Sequence, residues 1–100
     1  SELNFSVGVY VGIDVAKINK FSIYDRWGEQ VFQVGEYIPT SGNVVDATKS
    51  WDGSVRGQKG QIGVYVWYCE VEFIDGQTKI FNGEIRGIGS PGTNRICFGE

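Results

Sequence analysis

Residues 5–15 alternate with a period of two. Phe5, Val7, Val9, Val11, Ile13 and Val15 fall on one side, and Ser6, Gly8, Tyr10, Gly12 and Asp14 on the other. That period belongs to a strand with one buried face, and the apolar positions miss the spacing of a helix. Gly8 and Gly12 weaken so long a strand and predict a bulge or break near Gly12-Ile13. Residues 18–24 read as a second strand with Phe21 and Ile23 facing one way. Asp25-Arg26-Trp27-Gly28 supplies a turn and residues 30–34 return, which makes a hairpin. The strongest strand covers residues 64–74. Tyr65, Trp67, Cys69, Val71 and Phe73 share one face, and Val64, Val66, Tyr68, Glu70, Glu72 and Ile74 the other. The second face turns polar at Glu70 and Glu72, so the Cys69 face is the expected core face. Asp75-Gly76 is a hairpin dipeptide, and residues 78–86 complete the hairpin with Phe81 and Ile85 inward.

The intervening stretches read differently. Residues 35–50 form a long connection broken by Pro39, Ser41-Gly42-Asn43 and Asp46, with Val44-Val45 as a brief edge pairing. Residues 54–61 are polar and contain Gly57 and Gly60. Residues 87–100 carry Gly87, Gly89, Pro91 and Gly92 and read as a tail that ends in a short extended piece over 95–98. The pattern predicts an all-β domain over residues 1–86, a two-sheet β-sandwich of six to seven strands, followed by a tail over 87–100.

Composition narrows the chemistry. The chain has 100 residues, the size of one domain, and no histidine. That removes Ser-His-Asp triads, Cys-His dyads and histidine-ligated zinc sites. Two cysteines exclude a four-cysteine zinc site as well. No metal or cofactor is expected. The formal net charge is −3 and the basic residues are scattered singly, which argues against nucleic acid as a partner. No apolar run approaches the ~18 residues of a transmembrane helix. With no initiator Met and no signal peptide, the chain reads as a mature domain or a fragment. Cys69 lies mid-strand on the apolar face and Cys97 in the tail. Either the two bridge, or Cys69 is a buried free thiol. No activating base for a catalytic thiolate is visible.

Few groupings could carry chemistry. Glu70 and Glu72 lie two apart on one strand face, about 7 Å at Cα, which overlaps the carboxylate spacing of glycosidases. A half-exposed strand also places solvated charges that way, and this is the preferred reading. Asp52-Gly53 and Asp75-Gly76 lack the spacing of a calcium loop and read as turns. Trp27, Trp51 and Trp67 are expected in core or turn packing. Tyr10, Tyr24 and Tyr68 sit opposite the expected core faces and form the candidate ligand surface of a carbohydrate- or adhesin-type module.

One series of motifs resembles a known family. Asp25-Arg26-Trp27-Gly28 with its Val31-Phe32 return strand, Trp51-Asp52-Gly53, Gly63-Val64-Tyr65 and Asp75-Gly76 occur in that order. Together with the closing strand around 81–85 they are similar to the gliding motility-associated C-terminal domain of Bacteroidetes surface proteins. The resemblance covers about residues 4–86. It implies an immunoglobulin-like sandwich that is a type B sorting signal for the type IX secretion system. It further implies recognition by the secretion machinery at the outer membrane and a secreted or cell-surface location reached through the periplasm. Trp27 and Trp51 are expected to cap the core at the sandwich ends. Arg26 is expected to stack on one of them or to pair with Asp25 or Asp52. The chain departs from the family pattern in three places. It lacks the upstream Pro-Asn-Gly-Asp-Gly-like stretch, it has Gln61-Ile62 where a Pro is usual, and it continues beyond the closing strand.

Overall fold

The computed structural model describes residues 5–42, 47–60, 63–86 and 92–99. Its strands are β1 (Phe5–Val11), β2 (Val15–Tyr24), β3 (Gln30–Val34), β4 (Ser54–Val55), β5 (Gln58–Lys59), β6 (Tyr65–Phe73), β7 (Thr78–Ile85) and β8 (Gly92–Phe98). One sheet is antiparallel in the order β3-β2-β6-β7, and the other pairs β1 with β8 in parallel. β4 and β5 form a separate two-residue hairpin within the stretch read as merely polar. The second sheet is widened by single bridges from β1 to Trp51 and to Ser41. The expected pairing of Val44-Val45 lies outside the described residues.

The core lies between the sheets. Phe5, Val7, Val9 and Val11 enter it from β1, Ile96 and Phe98 from β8, Ile18, Phe21 and Ile23 from β2, and Tyr65, Cys69 and Val71 from β6. Val7, Ile18, Phe21, Ile23 and Val71 have no exposure at all. Removing each such side chain from water contributes roughly 1.5–3 kcal/mol. The Cys69 face of β6 is therefore the core face, as its alternation predicts.

The break near Gly12 is where the chain changes sheets. β1 ends at Val11, and the Asp14 carbonyl accepts the N–H of Ile74 at 2.9 Å from the far layer. The crossing ends the alternation, so Ile13 stands 79% exposed instead of following Val11 inward. Two register shifts against β6, at Val15/Lys17 and Ile18/Lys20, then set the phase that turns Phe21 and Ile23 inward.

The segment read as a tail supplies a strand. β8 runs beside β1 from Phe5↔Gly92 to Val11↔Phe98. The Phe98 ring lies 5.8 Å from that of Trp67 and 4.8 Å from that of Phe81. Parallel alternation points Ile96 and Phe98 inward and leaves Cys97 exposed, while Cys69 is buried; both cysteines are free. A bridge between them would require Cys97 to turn to the opposite face.

Candidate functional site

The β2–β3 turn is built by its first and fourth residues. The Asp25 carboxylate accepts the N–H groups of Trp27 and Glu29 at 2.9 and 2.8 Å. The Gly28 N–H donates to the Asp25 carbonyl at 3.0 Å, with φ at 86°. Side chains with a Cβ rarely adopt that φ, so Gly28 serves the turn. Arg26 and Trp27 occupy the two tip positions, which project outward. Trp27 is 76% exposed, which corrects its expected place as a core cap. Arg26 stacks on it, 4.8 Å from the ring centroid, and forms no ion pair with Asp25 or Asp52.

Trp51 is the core cap. It is 2% exposed, and its indole N–H donates to the Ser54 carbonyl at 2.8 Å. Its ring lies 5.2 Å from Tyr65 and 6.2 Å, edge to face, from Phe5. The Asp52 carboxylate accepts the Ser54 hydroxyl at 2.6 Å and the Ser54 N–H at 2.9 Å. Those two bonds, the hydroxyl first, hold its pKa below the usual aspartate value. Gly53 has φ at 87°, and a Cβ there would lie 2.9 Å from the Phe5 ring.

Three of the four motifs meet at one end of the sandwich. A cleft of about 450 Å³ runs between Arg26, Trp27 and Glu29 of the β2–β3 turn, Arg56 and Gln58 of the β4–β5 hairpin, and Gly63-Val64-Tyr65 where β6 begins. Trp51 lies behind it, against Tyr65. Glu29 and Arg56 form an ion pair that ties the two turns together. Arg56 has φ at 54° and Gly57 at 79°, the pair of positive angles a two-residue hairpin needs. An arginine is unusual in that position, where Asn, Asp or Gly fits with less strain. The sequence reading missed Glu29 and Arg56; the signal available was Arg56-Gly57 between Val55 and Gln58. The fourth motif lies at the far end of β6. There the Asp75 carboxylate accepts the Gln77 N–H at 3.0 Å and Gly76 takes φ at 88°, so its role is the hairpin.

The three tyrosines do not share a surface. Tyr24 and Tyr68 meet edge to face at 5.7 Å on the outer side of the four-stranded sheet. They line a second groove of about 490 Å³ together with Arg26. Tyr10 is on the other sheet and buried, with the Arg95 guanidinium 4.8 Å over its ring. Strand alternation assigned it to solvent, and Arg95 of the neighbouring strand covers it. Glu70 and Glu72 stand on the outer face of β6. Glu70 accepts the Asn19 amide at 2.8 Å, and Glu72 lies 3.9 Å from Lys17. Lys17 binds Glu36 more closely, at 2.9 Å, and that bond raises its pKa. Burial, with a smaller effect of the Glu70 charge, pushes the Cys69 thiol up to about 12, which leaves it protonated and unreactive. Among the described residues no group of three acidic or cysteine side chains could hold a metal ion.

The family model of the CHU_C type IX secretion signal domain matches residues 4–86, which spans β1 to β7. No curated protein and no solved structure matches the chain. The two-layer all-β fold agrees with that match, and the chain belongs to the type IX secretion signal domain family.

Proposed function

We propose that this domain works by being bound, at the end of the sandwich where Arg26, Trp27 and the cleft beside them lie. As a type IX secretion signal domain it directs the protein that carries it through the type IX system to the cell surface or beyond. The reading adds a place and a mode. The partners are the outer-membrane translocon and its shuttle proteins, and no catalysis is involved.

One observation carries it. Asp25 and Gly28 account for the turn, so the fold does not need a tryptophan between them, yet Trp27 stands 76% exposed beneath a stacked arginine. Exposed Trp and Arg are the side chains that contribute most to protein–protein binding. The test is a reporter fused ahead of this chain in a host with a type IX system. With Trp27→Ala the reporter should stay in the periplasm while the thermal melt of the chain is unchanged. Undiminished export of a Trp27→Ala, Arg26→Gln double variant would overturn the proposal.

A further inference from the structure

We infer that the cleft between the β2–β3 turn and the β4–β5 hairpin takes a short extended segment of the partner protein that bears a carboxylate beside an apolar side chain. Arg26 holds the carboxylate, and the Trp27 ring receives the apolar group. The inference rests on the reading of this end as the recognition surface and adds the chemistry of the partner.

The charges around the cleft single out Arg26. Glu29 is engaged by Arg56, and the Asp25 carboxylate is engaged by two backbone N–H groups. Among the described residues Arg26 meets no carboxylate, although the chain carries 12 acidic side chains against 9 basic ones. Its guanidinium lies over the Trp27 ring, 4.8 Å from the centroid. Stacking occupies the face of a guanidinium and leaves the in-plane N–H groups of its edge free. That edge matches a carboxylate with two parallel hydrogen bonds.

The surroundings limit the anion. Asp25 and Glu29 line the cleft wall with Arg26 and Arg56, so the wall has no net positive charge with which to hold a polyanion. A single carboxylate meets less of the repulsion from Asp25 and Glu29 and needs only the one guanidinium. The exposed indole beside it offers flat apolar area of the kind an aliphatic or aromatic neighbour covers. Arg56, at φ 54°, pairs with Glu29 across the two turns, so Glu29 is already engaged beside Arg26.

The test is an NMR titration of the isotope-labelled chain with acetyl-Leu-Asp-Leu-amide, acetyl-Leu-Asn-Leu-amide and inorganic phosphate. The Asp peptide should shift the Trp27 indole N–H and the Arg26 side-chain resonances saturably in the millimolar range. The Asn peptide should bind at least about tenfold more weakly, and so should Arg26→Lys, which lacks the planar fork. Equal shifts from both peptides, no shift from either, or phosphate binding as well as the Asp peptide would each overturn the inference. The two readings fail separately. Lost export of Trp27→Ala with no peptide binding leaves the surface standing and removes the carboxylate. Peptide binding with unaffected export leaves the site standing and removes its sorting role.

Discussion

The backbone N–H of Gly60 donates to the carbonyl oxygen of Gly53 at 2.9 Å, and a Cβ on Gly60 would lie 2.7 Å from that same oxygen. The obstacle is backbone, which cannot swing aside as a side chain can. Gly60→Ala is therefore expected to cost about 1–3 kcal/mol. Gly35→Ala, where a Cβ meets nothing within 4 Å and φ is not left-handed, should be neutral or slightly stabilising. Urea unfolding of the two variants beside the parent chain checks the contrast.

The two motif tryptophans should separate stability from recognition. Trp51→Ala removes a side chain 2% exposed and leaves the Ser54 carbonyl without its indole donor, at an expected cost of about 3–5 kcal/mol. Trp27→Ala should stay within about 0.5 kcal/mol of the parent. Chemical denaturation of both variants decides this, and a large loss at Trp27 would mean that the turn depends on it.

β8 should be required for the fold although it lies beyond the family match at residue 86. Phe98→Ala opens the contact with Trp67 and Phe81 and should cost about 3 kcal/mol. Removal of residues 92–99 should destabilise the domain further and expose core surface from β1. Dye binding and the thermal melt of the shortened chain report it.

The Asp52 turn makes the domain sensitive to acid. Its folded pKa is below its unfolded value, so its contribution is fully present above the unfolded value of about 3.9 and is lost as pH falls through the folded pKa. Asp52→Asn should flatten the acid limb of the stability profile below about pH 4 and lower the plateau at neutral pH. Thermal melts of both chains across that range test the sign.

Legibility followed locality. The core face of β6 was readable because nine consecutive residues alternate, with Glu70 and Glu72 marking the outer side. The β2–β3 and β6–β7 turns were readable because Asp25, Gly28, Asp75 and Gly76 act on their own backbone. Trp27 was not, because bulk and apolarity favour the core while the turn geometry decides that positions 26 and 27 project outward. Tyr10 was misplaced for a related reason. Alternation sets its direction, and Arg95, 85 residues away in sequence, sets its exposure. Only residues 95–98 of β8 were legible as extended, because its partner is the first strand and no local turn announces the pairing. The cleft brings Glu29 to Arg56, a contact between two turns that neither turn's residues encode alone.

The parallel pairing of β1 with β8 also bears on timing. Phe5 is opposite Gly92 and Val11 is opposite Phe98, so this contact closes a loop of nearly the whole domain. Loop closure over such a span is slow relative to the hairpins, which bring together residues a few positions apart. A chain emerging in order presents β1 first and must wait for residues 92–98 before that strand gains its partner. The β1 side of the core is therefore completed late. The sheet that closes one side of the core is thus completed only once residues 92–98 have been made, whereas the turn that carries Trp27 rests on Asp25 and Gly28, which are made early.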